Sequence, residues 1–257
     1  MTTPPKIKRY GWVPDLPDHR DHLYAAAPRF LVGLPASVDL RPQCPPVYDQ
    51  GDLQSCTANA IAAAFQFDLM KQKIADFVPS RLFIYYNERV MESSVGADNG
   101  AQIRDGVKSV ASIGVCPEDP DWPYDVARFA AKPPDPPCYA DAAKNKIVSY
   151  QRLAQSLNQM KGCLASSYPF VFGYSVYESF ETEEVAKTGH APMPSPAEAA
   201  IGGHAVMAVG YDDAKQWFII RNSWGTAWGM AGYFTLPYAY LIDGSLSDDF
   251  WTIRLVA

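Results

Sequence analysis

Seven prolines stand between Pro117 and Pro137 (Pro117, Pro120, Pro123, Pro133, Pro134, Pro136, Pro137). Proline lacks the backbone N–H and fixes φ, so neither a helix interior nor a central strand tolerates such a density. The regular elements must therefore divide on either side of this stretch, which reads as a crossing between two lobes. Upstream the period is helical. Ile61, Phe65 and Leu69 fall on one face, with Ala60, Ala62, Ala63 and Ala64 as strong helix formers. The spacing predicts a helix that starts after Ser55, which is placed to cap its first turn. A second helix is predicted over residues 80 to about 91, and a third over 103–112, where Ile103, Val107 and Val110 line one face. Downstream, residues 169–174, 204–211, 216–221 and 232–236 are short apolar or aromatic runs separated by Gly and Asp, as packed strands require. The expected class is α+β, mainly helical and then mainly β. Residues 1–37 follow neither period, and Pro14, Asp15, Pro17, Asp18 and Asp21 favour turns. This part reads as an extension lying on a domain.

Composition narrows the function classes. With 257 residues, 48% hydrophobic and 19% charged, the chain is expected to fold around a substantial core. A net charge of -6, from 22 basic against 28 acidic residues, argues against nucleic acid, whose phosphates reward clustered positive charge. The apolar run 60–65 ends at Gln66 and Asp68, far short of the roughly 18 residues of a membrane span. Lys6, Lys8 and Arg9 lead into Trp12, Pro14 and Asp15 instead of an apolar stretch, so no secretory signal is visible. A cytoplasmic location is the default expectation, with secretion by another route left open. Five cysteines are too few and too scattered for a disulfide scaffold. Cys116 and Cys138 bracket the proline-rich stretch, and the sequence leaves open whether they pair. Cys44, Cys116, Cys138 and Cys163 show no paired metal-ligand spacing, so neither a metal nor a cofactor is expected.

Three residues carry candidate chemistry. Cys56 would sit at a helix N-terminus, where partial positive charge and free N–H groups favour a thiolate. Taken alone, a cysteine before an apolar face reads as a small buried hydrophobe. His204 opens a strand after Gly202 and Gly203, where a histidine is otherwise an ordinary core residue. Asn222 follows one strand later, and a hairpin would bring its side-chain oxygen to the imidazole. Taken together they are a nucleophile, a base and an orienter. His190 is the rival base, but Pro192, Pro194 and Pro196 mark its surroundings as an extended loop.

The runs Gln50-Gly51-Asp52-Leu53-Gln54-Ser55-Cys56, Gly203-His204-Ala205-Val206 and Asn222-Ser223-Trp224-Gly225-Thr226-Ala227-Trp228-Gly229 resemble the papain-like cysteine peptidases. Gly11-Trp12-Val13-Pro14-Asp15 is similar to the bacterial branch. The resemblance implies a two-lobe fold: a helical lobe over roughly 47–145, and a β-barrel-like lobe over roughly 146–257 joined by 38–46. The cleft would lie between them. It also implies a thiol endopeptidase acting on peptide or protein substrates. Cys56 would attack, His204 would move the proton, Asn222 would orient the ring, and Gln50 with the Cys56 N–H would hold the oxyanion. Asn99, Gly100, Gly203, Ala205 and Trp224 would border substrate, small residues beside His204 leaving room for a large apolar side chain. Leu53 stands where relatives have a half-cystine, Thr57 where they have Trp, and Ala101 where they have a second Gly. An ion pair with His204 is expected to lower the Cys56 pKa. The extension to about Ser37 is expected to lie in or beside the cleft and restrain it. A transglutaminase-like acyl transferase, disfavoured by the Asn222-Ser223-Trp224-Gly225 run and the Gln50 spacing, and a catalytically silent binding module, disfavoured by the intact polar positions, are the alternatives.

Overall fold

The computed structural model describes residues 10–257. Two short strands, β1 (Leu23–Tyr24) and β2 (Ser37–Asp39), tie the first part of this chain to the sheet. Helix α1 (Cys56–Gln72) follows, and every residue from Cys56 to Leu69 is buried. The one-sided stripe read from the sequence is thus too narrow. A helix apolar nearly all round belongs in a core, and α1 packs on the sheet with one side and on α2 (Arg81–Met91) and α3 (Ile103–Ser112) with the other. Lys73, in the left-handed region at φ 57°, ends α1.

Ser80 caps α2 by accepting from Phe83 N at 3.2 Å. Ser55, the expected cap of α1, does something else: its hydroxyl meets Tyr124 Oη at 2.6 Å and accepts from Asn59 Nδ2 at 3.0 Å. Tyr124 comes from the proline-rich stretch. That stretch folds back on the helices, with Ser80 Oγ donating to the Trp122 carbonyl at 2.7 Å and Arg81 paired with Glu118 at 2.8 Å. It braces the first turn of α1 before the chain moves on through α4 (Cys138–Ala142). Cys116 and Cys138, at its two ends, are both buried free thiols, and Cys138 Sγ donates to Asp121 O at 3.6 Å.

The remaining elements are β3 (Ile147–Leu153), α5 (Leu157–Ala165), β4 (Phe170–Tyr177), α6 (Glu183–Thr188), β5 (Ala200–Asp212), β6 (Trp217–Arg221), β7 (Tyr233–Pro237), α7 (Tyr238–Ile242) and β8 (Ser247–Val256). The strands form one sheet in the order β1-β3-β8-β4-β5-β6-β7, with β2 pairing β5. This path is open, with β1 and β7 at its ends. The architecture is α+β in two lobes, and α1 lies where its start meets β5.

Candidate active site

Cys56 is the first residue of α1 and is fully buried. The turn before it is held to the other lobe. Gln50 N donates to Ser223 O at 2.8 Å, Ser223 Oγ donates to Gln50 Oε1 at 2.6 Å, and Tyr124 Oη donates to Gln50 O at 2.9 Å. One N–H of the Gln50 amide goes to Leu53 O at 2.8 Å, which leaves the second. Leu53, where the half-cystine is missing, is buried.

The antiparallel pairing of β5 and β6 brings Asn222, just past β6, to His204. Their side chains meet through His204 Nε2 and Asn222 Oδ1 at 2.9 Å. The same Oδ1 accepts the Ser223 N–H at 2.9 Å, so it is the oxygen, and Nε2 is the ring nitrogen that donates. In the neutral ring Nδ1 then carries the lone pair, and it is buried with no hydrogen bond. Trp224 packs on the ring, centroids 5.0 Å apart. Ala205 N donates to Cys56 Sγ at 3.3 Å.

The electrostatics differ from the sequence expectation. Burial pushes the Cys56 thiol up to about 12, against the pull of the Ala205, Gly11 and Thr57 N–H groups. Burial likewise pushes His204 down to about 4, opposed by Asn222. Desolvation disfavours both charged forms, so burial favours a thiol and a neutral imidazole over the expected ion pair in this covered site.

The cover is the chain's own N-terminal stretch. Trp12 N donates to Gly203 O at 2.9 Å, Val13 N to Ala101 O at 3.0 Å, and Ala101 N to Gly11 O at 2.9 Å. Trp12 and Ala101 form a parallel bridge. Gly100, at φ 78°, lies so close to Gly11 that a Cβ would strike its backbone, and a Cβ on Gly11 would strike Gln54. Tyr10 sets its ring 5.7 Å from His204. Of the expected substrate strip, Gly100 supplies the bare approach, Ala101 makes both hydrogen bonds, and Asn99 is exposed. His190 is exposed and stacked on Trp217 at 4.9 Å, with Nδ1 on Thr235.

Sequence reasoning missed what pins this stretch further along. Asp15 accepts from Arg104 N at 3.0 Å and Trp251 Nε1 at 2.9 Å. Arg104 pairs with Asp21 at 2.6 Å. Asp249 accepts from both Trp12 and Asp15. The acidic run 15–21 was the available signal; its basic partners lie far off in sequence. Among the described residues no group of three or more His, Cys, Asp or Glu is placed to hold a metal ion, and no helix is long and apolar enough to cross a membrane.

Comparison with known proteins agrees with this architecture. A scan against family profiles matches "Papain family cysteine protease" over residues 34–240. The crystal structure of xylellain, a cysteine protease from Xylella fastidiosa, superposes with a TM-score of 0.91 at 45% identity, covering 100% of this chain and 99% of that one. An uncharacterized peptidase C1-like protein, L477, of Acanthamoeba polyphaga mimivirus is 42% identical over 100% of this chain and 90% of its own length. Digestive procathepsin L 3 of Tenebrio molitor shares the fold, with a TM-score of 0.70 at 19% identity over 91% of this chain and 74% of that one. With a profile match across most of the chain and relatives this similar along its whole length, the protein belongs to the papain family of cysteine proteases.

Proposed function

We propose that this chain is an endopeptidase in which Cys56, His204 and Asn222 act as a catalytic unit, and that residues 1–37 hold the peptidase domain, 38–257, latent. The observation that carries the catalytic reading is the 2.9 Å bond between His204 Nε2 and Asn222 Oδ1. It leaves Nδ1 as the ring's base, with a thiol at the start of α1 within the same buried site. Once the cleft opens and water enters, the desolvation that neutralises both groups is relieved. Nδ1 takes the Cys56 proton, Sγ attacks the peptide carbonyl, and the free N–H of Gln50 with the Cys56 N–H receives the oxyanion. His204 then returns the proton to the leaving amine, and water, deprotonated by the same ring, hydrolyses the acyl-enzyme. Removing one oxyanion donor costs about 3 kcal/mol in related acyl-transfer sites.

The latent state is supported by the burial of Cys56 and His204 and by the backbone pairing of residues 11–13 with Ala101 and Gly203. The test is hydrolysis of a fluorogenic peptide by the full chain and by a chain cleaved after about residue 37, each with a Cys56→Ala control. Turnover that rises on cleavage and vanishes in the control supports both halves. Cleavage without change in turnover removes the restraint, and turnover surviving Cys56→Ala removes the mechanism.

A further inference from the structure

The turn over residues 50–56 bears the nucleophile and both oxyanion donors of the catalytic reading. Among the described residues no disulfide ties it to the rest of the protein: Leu53 stands in place of a half-cystine, and the five cysteines are free thiols. On the side that faces residues 99–101, a single residue holds the turn by hydrogen bonds. Asp98 Oδ1 accepts from Gln54 N at 3.0 Å, and the Asp98 carbonyl accepts from Gln54 Nε2 at 2.6 Å. Gln54 is two residues before Cys56. Two bonds that use both the side chain and the main chain of Asp98 fix the orientation of Gln54 as well as its distance.

Asp98 is itself held from the helices. Its Oδ1 also accepts from Tyr85 Oη at 2.7 Å, and Tyr85 Oη in turn accepts from Gly100 N at 3.3 Å. Tyr85 is a fully buried residue of α2, with the Arg89 guanidinium 3.8 Å from the centre of its ring. Arg89, also fully buried, donates to the carbonyls of Val95 and Ala97, each at 2.9 Å, and so fixes the loop that delivers Asp98. Beyond Asp98, Gly100 takes φ 78° and leads into Ala101, whose N–H and carbonyl pair with Gly11 and Val13. Asp98 therefore joins the turn before the nucleophile, on one side, to the strip that pairs with an extended chain, on the other.

We infer that Asp98 is a positioning residue for the reaction: it sets the place of the Cys56 turn relative to any extended chain paired with Ala101, whether substrate or covering segment. The inference rests on the peptidase reading above. The effect of Asp98 on the reacting groups runs through Gln54. Without the Asp98 side chain, the Gln54 N–H and the Tyr85 hydroxyl lose their shared acceptor, and donors left unpaired away from water are unfavourable. The turn then shifts to repair the loss, and a misplacement on the scale of about 1 Å at a reacting group can lower the rate about 100-fold. Asp98→Asn keeps an oxygen acceptor on the side chain and keeps the carbonyl, so it preserves the joint.

The test uses the full chain with Trp12→Ala to loosen the cover. It measures kcat at saturating fluorogenic peptide, per Cys56 titrated with iodoacetamide against a Cys56→Ala blank. A competing cover raises KM and leaves kcat unchanged, and the titration removes any loss of folded protein. We expect Asp98→Ala to lower kcat about tenfold or more, and Asp98→Asn to restore it to within about threefold. An unchanged kcat per titrated site in Asp98→Ala, with only the melting temperature lowered, would reduce Asp98 to a structural role and overturn the assignment. Asp98→Asn as slow as Asp98→Ala would overturn it too. A second measurement needs no turnover. With Trp12 in place, Cys56 of the intact chain should be alkylated several-fold faster in Asp98→Ala than in the parent chain, and Asp98→Asn should match the parent. Equal rates in all three overturn the assignment. If no chain hydrolyses the peptide and the alkylation order is the expected one, the peptidase reading fails and the positioning of the turn by Asp98 stands.

Discussion

Gly11→Ala is expected to uncover the cleft without touching a catalytic group. The added Cβ would meet the carbonyl of Gln54, and Gln54 has little freedom to yield. Its N–H donates to Asp98 Oδ1 at 3.0 Å and its side-chain amide to Asp98 O at 2.6 Å, two residues before Cys56. The segment must yield instead, and the backbone bonds at Gly11 O, Trp12 N and Val13 N are lost with it. At about 1 kcal/mol net for each of three hydrogen bonds, covering weakens by roughly 3 kcal/mol. A free-energy change of that size lowers the covered-to-open ratio about 100-fold. The assay is the rate of Cys56 alkylation by iodoacetamide in the intact chain, with fluorogenic peptide turnover measured beside it. Both should rise by up to that factor while the melting temperature changes little, because the core around α1 is untouched. An alkylation rate within twofold of the parent chain, with the variant folded, would show that residues 10–13 do not control access, and the latent-state reasoning would fail.

Cys56→Ala should abolish peptide hydrolysis with the fold retained, and Asn222→Ala should be milder, since it loosens the ring without removing nucleophile or base; comparison of kcat with circular dichroism checks both. Asp15 is buried beside Asp249, with Arg104 and Arg152 facing it and Asp21 and Asp248 close by, and burial and the Asp249 charge raise its carboxyl above the usual range. A carboxyl raised in the covered state strengthens covering fully below its ordinary value near 4, and that contribution is lost as pH rises through the raised value. The alkylation rate of the parent chain relative to Asp15→Asn should therefore climb between these limits, and a flat ratio would contradict it. Glu88 accepts from Thr57 Oγ1 at 2.7 Å, has its other oxygen buried without a hydrogen bond, and is raised well above the usual range by burial. Its stabilising contribution is present at low pH and lost as pH rises through the raised value, so Glu88→Gln should flatten the fall of melting temperature with pH.

Much of this arrangement was legible in the sequence because it is carried by residues close together in the chain. The apolar spacing of Ile103, Val107 and Val110 gives α3 its observed bounds, Ile103–Ser112. The two runs around His204 and Asn222 are joined by a hairpin of neighbouring strands, so their meeting follows from β5 and β6 alone. The lack of any period in the first 37 residues implied a borrowed surface, and the described part, residues 10–37, lies on one, while residues 1–9 fall outside the described residues. Strands β3 and β8 left little trace, since exposed and polar residues interrupt their apolar ones. Ser55 looked like a cap because its neighbours are helical; Tyr124, 69 residues away, claims its hydroxyl. Asp249 meets Asp15 across 234 residues, so no local pattern could pair them. Cys56 shows the division most clearly. Its place at a helix start is a local property and argues for a thiolate, whereas its protonation state is decided by what excludes water. That is the tertiary cover of residues 10–13, and the burial it imposes on Cys56 favours the neutral thiol.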